Sequence, residues 1–377
     1  MEFSIKRDNL SRELGALAAV PLKNSPLPIL ECVHIEALAG HRLRLTATSL
    51  QSTLTCEVQA DSVVEEGAVC VTVRRLADLV RLMPEGLLTV STDAQDYLVV
   101  KGQRSRHRLP AMSADAWPPQ AVPAPDALWT EVPAGRLRAL LKGVEFAVAP
   151  EEDSKFNLRG VKMEIEGNRM RMVATDGHRL SMAESGLDVL TLADADVLVP
   201  EHGTQDLARL LGDEEPEQMV GVAASANKLF FRAGARLLAV TLLVGEFPEY
   251  RGILKEYGKY TSAANFPADD LNGAVRRALL AADGKSAAVR FRFDAGMLVI
   301  RAQTQESGEA EEFLVSDWTG EDGAHLSVNA KFLLEFLSAV QDVRWECGGP
   351  RDALHLVGTN KEGLQVRYVL MPLDVPE

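Results

Sequence analysis

No apolar run in this chain approaches the length needed to span a bilayer, so a transmembrane helix is excluded. The first residues, Met-Glu-Phe-Ser-Ile-Lys-Arg, lack the apolar core of a signal peptide. A cytoplasmic protein is expected. The four cysteines (Cys32, Cys56, Cys70 and Cys347) are scattered, with no Cys-x-x-Cys pair and no histidine at zinc spacing. They predict reduced, mostly buried thiols and no metal site. Three motifs are missing as well: Gly-x-x-x-x-Gly-Lys-Ser/Thr, Gly-x-Gly-x-x-Gly and His-Glu-x-x-His. No cofactor is expected. Positive charge is also short, with 40 Lys and Arg against 54 Asp and Glu and a formal net charge of −14. A protein that adheres to DNA over its whole surface is normally basic. One that gathers its few cations on an inner surface is still allowed.

What the chain does have is an order of elements used three times. At 377 residues it is too long for one ordinary core, so two or three domains are expected. Residues 1–123 open with a strand at 2–6 and a helix carrying Leu10, Leu14 and Leu17 at i, i+4 and i+7. Extended segments at 29–37, 41–48 and 53–58 lead to a second helix at 73–83, which Pro84-Glu-Gly86 stops. Strands at 87–91, 97–102 and 105–109 close the unit, and the Pro- and Ala-rich stretch 117–127 reads as a linker. Residues 124–251 repeat that order, with helices at 134–147 and 202–211. Residues 252–377 repeat it again, with helices at 267–282 and 329–340 and a last strand at 365–371. Leu43-Arg-Leu-Thr-Ala-Thr-Ser49 and Met170-Arg-Met-Val-Ala-Thr-Asp176 fill the same slot. The period of about 128 residues is too long for a solenoid, so each repeat is read as a domain.

The most distinctive stretch is Met172-Val-Ala-Thr-Asp-Gly-His-Arg-Leu180. Asp176-Gly177 turns a hairpin because Gly takes a positive φ without cost. An enzyme reading would make Asp176 and His178 an acid–base pair. No serine or cysteine motif accompanies them, and turn chemistry accounts for the dipeptide without catalysis. Basic residues recur on polar helix faces: Arg74 and Arg81, Arg138 and Lys142, then Arg276, Arg277 and Lys331. On any one helix this is an ordinary solvated face. Its recurrence in three repeats points to a weakly positive wall that meets phosphates without reading bases. Basic Gly102-Gln-Arg-Ser-Arg-His-Arg-Leu109 and acidic Glu309-Ala-Glu-Glu312 suggest a head-to-tail contact between two chains.

Four runs together resemble the bacterial DNA polymerase III beta subunit, the sliding clamp family. They are Ala174-Thr-Asp-Gly-His-Arg-Leu180, Leu27-Pro-Ile-Leu30, Phe247-Pro-Glu-Tyr250 and Tyr368-Val-Leu-Met-Pro-Leu373. The resemblance implies an α+β chain of three tandem clamp domains, bounded at 1–123, 124–251 and 252–377. Two chains would close head to tail into a six-domain ring, helices lining the hole and sheets outside. Such a homodimer encircles duplex DNA without sequence preference and tethers the replicative polymerase. It is placed by a clamp loader, binds other clamp-binding proteins and catalyses nothing.

By matching position, the resemblance implies a partner-peptide pocket walled by Leu158, Thr175, Gly177, His178, Arg179, Leu180, Pro248, Ile253, Val369, Met371 and Pro372. A shallower part uses Asn329, Phe332 and Leu373. Phe332 stands where relatives often carry Tyr and has no hydroxyl. Gly252 stands where some have Arg, which loosens one wall. Residues 374–377 extend past the usual terminus and are positioned to modulate the pocket. Arg104 and Arg106 match the family's basic dimer strand, Glu309 and Glu312 its acidic partner, and Leu109, Leu279 and Leu280 its apolar centre. Lys23 and Lys155 are the nearest matches for loop residues that touch DNA. Two other readings are open at this point: a clamp-fold scaffold that binds peptides without DNA, and a repeat-built enzyme using Asp176 and His178.

Overall fold

Six times among the described residues, a strand runs directly into a helix with no loop between them. The computed structural model describes residues 1–22, 25–150, 156–187, 194–225, 227–254, 259–260 and 262–374. Among these, helix α1 (Arg7–Leu17) follows Glu2–Lys6, and α2 (Val73–Leu82) follows Gly67–Thr72. Helix α3 (Ala134–Lys142) follows Thr130–Pro133, and α4 (Glu201–Gly212) follows Ala195–Pro200. After the short α5 (Arg251–Leu254), α6 (Ala268–Leu279) follows Ala263–Pro267 and α7 (Ala330–Ala339) follows His325–Asn329. Three junctions are prolines, Pro133, Pro200 and Pro267, because proline's fixed φ near −65° suits both a strand end and a helix entry. Lys6, Thr72 and Asn329 hold nearly the same backbone at the other junctions, with φ of −63°, −53° and −69°.

Five of these lead-in strands were not expected from the sequence. They are short and carry no turn signal before the helix, so their apolar residues merge with the helical pattern. Pro28–Glu31 is also a 3-10 turn rather than strand, and Cys32–Leu38 is the strand that follows. The stretch read as a linker is partly packed, with Trp117 stacked on His34 at 5.3 Å.

Two compact units form. The first comprises Met1–Ala134 and His202–Leu242 and holds one thirteen-stranded sheet. The second comprises Gly135–Glu201 and Leu243–Glu377 and holds an eight-stranded and a four-stranded sheet. The sheets cross from one sequence repeat to the next. In the first unit, strand Arg236–Thr241 pairs antiparallel with Ser52–Gln59, setting Arg236 opposite Cys56 and Val240 opposite Ser52. In the second, Arg179–Gly186 pairs with Gln365–Leu370, setting Leu180 opposite Val369. The helices pack in pairs, α1 with α2 and α6 with α7, and bury Leu10, Leu14, Leu76 and Val80 in the first pair and Leu271, Val275, Leu333 and Phe336 in the second.

The first unit is tied by a buried ion pair. Arg236 Nε donates to Glu13 on α1 at 2.7 Å, and its Nη1 reaches Asp213 at 2.6 Å. Burial alone would push the Glu13 carboxyl up. Hydrogen bonds and charge from Arg236 and Arg12 outweigh it and hold the group below its usual value of 4.5. A carboxyl lowered on folding stabilises the protein above its unfolded pKa, and that contribution is lost as pH falls through the lower folded value. Glu13→Gln should therefore cost about 3 kcal/mol at pH 7, because it leaves Arg236 buried with one half-exposed partner. The variant should also lose less stability than the parent on acidification below about pH 4.5, and urea unfolding across pH 3–7 measures both effects.

Candidate functional site

The Asp-Gly hairpin of the second unit is fully occupied in holding its own shape. Gly177 sits at φ +90°, the region where a side chain is strained. Asp176 Oδ1 accepts from the backbone N–H groups of His178 (2.9 Å) and Arg179 (3.0 Å), and Oδ2 accepts from Arg179 Nε (2.9 Å). Thr175 Oγ1 accepts from Gly177 N–H at 3.1 Å and donates to the Arg179 carbonyl at 2.6 Å. Three of the carboxylate's lone-pair sites hold the turn and the Arg179 guanidinium, and His178 meets it through its backbone N–H. This removes the acid–base reading of the pair.

Arg179 is the residue that gives the hairpin its reach. It is 7 % exposed and extends to α7. There its guanidinium pairs with Glu335 and lies 4.1 Å from the centre of the Phe332 ring. A guanidinium stacked on an aromatic face gains from the ring quadrupole as well as from the ion pair. Phe332, which has no hydroxyl, meets Arg179 through its ring. Tyr368 Oη donates to the Phe332 carbonyl at 3.0 Å, and its ring stacks on Phe336 at 4.8 Å. Burial pushes the Tyr368 phenol up, so it stays a protonated donor. Asn329 caps α7 by accepting from Lys331 N–H at 3.0 Å.

The C-terminal run is stitched to this frame by its backbone. Met371 N–H donates to the His178 carbonyl at 2.9 Å, and Leu373 N–H to the Ser327 carbonyl at 2.7 Å. Behind the hairpin lies an apolar cluster of Val173, Leu180, Met182, Tyr250, Leu254 and Val369, with Phe247 and Ala353 packed against it. Met371 and Ile253, next in sequence to core residues, leave large apolar side chains 49 % and 44 % exposed. Pro248 is exposed, and Leu158, Pro372 and Leu373 are half-buried. Half-exposed apolar side chains therefore surround a packed apolar base.

Sequence reading missed several members of this site. Phe247, Tyr250 and Leu254 anchor the base, yet Phe247-Pro-Glu-Tyr250 was visible as a motif. Glu335 was not anticipated, since its pairing with Arg179 spans 156 positions. Also missed was Glu164, which accepts from Tyr250 Oη (2.6 Å), Arg171 Nη1 (2.9 Å) and Arg251 Nη2 (3.0 Å). These bonds offset the burial that would raise its carboxyl, and its pKa lies below the usual value.

The other candidates are more scattered. In the first unit, Arg104 and Arg106 are exposed and Leu109 is half-buried. Strand Arg106–Met112 pairs with Tyr97–Lys101 along 106–110 but meets Gly67–Thr72 only at Ala111 and Met112. Over 106–110 its second edge is therefore open among the described residues. In the second unit, Gly308–Val315 is the end strand of the four-stranded sheet, with exposed Glu309 and with Phe313 and Val315 56 % and 82 % exposed. Leu279 is half-buried and Leu280 is 81 % exposed. Glu312 and Arg277, expected in separate roles, form a bidentate pair at 2.9 and 2.6 Å.

Arg74 donates to the Pro21 carbonyl (3.2 Å), Arg81 pairs with Asp78 (2.8 Å), and Arg276 Nε donates to Asn272 (2.6 Å). Arg138 is half-buried and Lys142 exposed. Lys331 Nζ lies 3.4 Å from the Gly284 carbonyl. Lys23, Lys155 and residues 375–377 lie outside the described residues. The four thiols are free and buried, and among the described residues no three His, Cys, Asp or Glu side chains are grouped to hold a metal ion. Among the described residues no helix is long and apolar enough to cross a membrane.

Repeated strand–helix modules and sheets that run through successive repeats give the chain the architecture of a processivity clamp. The chain matches the DNA polymerase III beta subunit in all three of its parts: the N-terminal domain at residues 1–122, the central domain at 131–249 and the C-terminal domain at 259–374. It is 31 % identical to the beta sliding clamp of Pseudomonas putida, over 90 % of each chain. A crystal structure of the Pseudomonas aeruginosa DNA polymerase III subunit beta superposes with a TM-score of 0.91, at 28 % identity and with both chains fully covered. A Pseudomonas aeruginosa sliding clamp bound to griselimycin matches equally well. The chain belongs to the DNA polymerase III beta subunit family, the bacterial sliding clamps. It is a non-catalytic DNA sliding clamp of three tandem clamp domains that serves replication by binding DNA and polymerase.

Proposed function

We propose that the hairpin, the base around Tyr250 and the C-terminal run together form the dock for partner peptides, and that two chains close head to tail around DNA. The observation that carries the dock is Arg179, which joins the hairpin to α7 while the backbone of Met371 bonds to His178. Apolar anchors of a peptide would replace water over Leu180, Val369, Met371 and Ile253. The reading takes the domains as 1–123, 124–251 and 252–377, and places the protein's action in the cytoplasm, on the nucleoid during replication.

Closure would join the open edge at 106–110 of one chain to strand Gly308–Val315 of another, basic residues meeting acidic ones. The DNA-facing cations are sparse, and several are already bonded within the chain. Weak phosphate attraction suits sliding, because topology rather than affinity prevents escape. Loaded on DNA by a clamp loader with ATP, the protein should stay on a closed circle with a half-life at least about tenfold longer than on the same DNA cut once. Gel filtration of the loaded DNA reads this, and equal retention on circle and line would refute encirclement.

A further inference from the structure

A cavity of about 710 Å³ opens on the eight-stranded sheet of the second unit and shares Met182, Tyr250 and Leu254 with the base of the dock. Its wall is basic. Arg171, Arg251, Arg344 and Arg367 line it, and Glu184 is the one carboxylate among its described lining residues. That is an unusual concentration of positive charge in a chain of net charge −14.

The strand register joins this wall to the dock. Alternate residues of a strand share a face, so neighbouring rows lie about 7 Å apart. Leu180 pairs with Val369, and one row on Met182 pairs with Arg367. That row continues across the sheet, Arg367 opposite Val357 and Val357 opposite Arg344. A further row on, Arg171 stands opposite Glu184. The apolar row of the dock is thus followed directly by guanidinium groups. The arginines differ in how far they are engaged. Arg171 is held by Glu164 and Glu184, and Arg251 shares Glu164. Arg344 uses its Nε on Glu346 at 2.7 Å, and half its side chain is exposed. A guanidinium carries five donors, and the bond to Glu346 engages one of them.

We propose that this cavity receives acidic residues flanking the apolar anchors of a docked partner peptide. The inference rests on the docking reading above. A peptide fits better than a free anion, because one extended chain crosses both rows at two residues per row. Charged flanks would let the clamp rank partners whose apolar anchors are alike, and the ranking would weaken with salt.

The test uses the full-length protein and labelled peptides with leucine and phenylalanine anchors, extended at either end by Glu-Glu or by Gly-Ser. Fluorescence anisotropy should show one Glu-Glu peptide binding about five- to tenfold more tightly than its Gly-Ser counterpart. Arg344→Gln with Arg367→Gln should abolish that preference while leaving the Gly-Ser peptide's affinity unchanged. Arg344→Lys with Arg367→Lys should keep the preference, and matching melting temperatures would show that all three proteins are folded. Equal affinity of acidic and neutral peptides for the parent overturns the inference, as does a preference that survives in the glutamine variant. If no peptide binds, the docking reading fails and takes this inference with it.

Discussion

Removal of residues 371–377 should weaken binding of a polymerase-derived peptide by about 100-fold while leaving the dimer and its melting temperature nearly unchanged. The asymmetry follows from where the last strand stops. Gln365–Leu370 keeps both of its neighbours, Arg179–Gly186 and Leu354–Thr359, and Tyr368 and Leu370 remain in the core. What disappears is Met371-Pro372-Leu373, held by one backbone bond to His178 and another to Ser327. These residues are half-exposed or more, so the folded chain loses little buried area without them. A bound peptide loses one apolar wall. Truncating a side chain at the centre of an interface commonly costs 2 kcal/mol or more, and about 2.7 kcal/mol corresponds to a hundredfold. Anisotropy titration and sedimentation separate the two effects. Undiminished peptide binding would show that the dock lies elsewhere.

Reversing charge at the open edge should act on the other half of the function. Arg104→Glu with Arg106→Glu should raise the dimer dissociation constant by about 100-fold and abolish retention on circular DNA. Each exposed ion pair is worth about 1 kcal/mol or less on its own. Reversal does more, because it sets two new carboxylates in place of two cations against Glu309 and its neighbours. The backbone groups at 106–110 then face a repelled strand. Glu312 is bonded to Arg277 of its own chain, so Glu309 is the better placed acidic residue for the contact. Peptide binding should survive in the separated chains, since every residue of the dock lies in the second unit. Sedimentation at several concentrations with a peptide titration measures both. A dimer of unchanged strength would place the interface at another surface.

The helices were legible because their apolar residues recur every three to four positions, and Leu10, Leu14 and Leu17 are indeed each 1 % exposed or less. The Asp176-Gly177 turn was legible for a local reason too: only one residue in it needs a positive φ, and it is glycine. Lead-in strands such as Gly67–Thr72 and His325–Asn329 were not read. A five- or six-residue strand that enters a helix without a turn has no boundary for a pattern to mark.

The sequence by itself determined the threefold order, the helical faces, the hairpin and, through four short runs, the family. All of these depend on residues close together in the chain, or on a pattern repeated at a constant interval. Tertiary structure alone decided which repeat shares a sheet with which, as when Val240 comes opposite Ser52 and Leu180 opposite Val369. It alone joined Arg179, expected only as a pocket wall, to Phe332 and Glu335, and set a basic cavity one row from the dock. The reason is physical. Backbone pairing is chemically the same between any two strands, and a guanidinium takes any carboxylate or ring within reach. Partners more than 150 positions apart are chosen by how the whole unit packs.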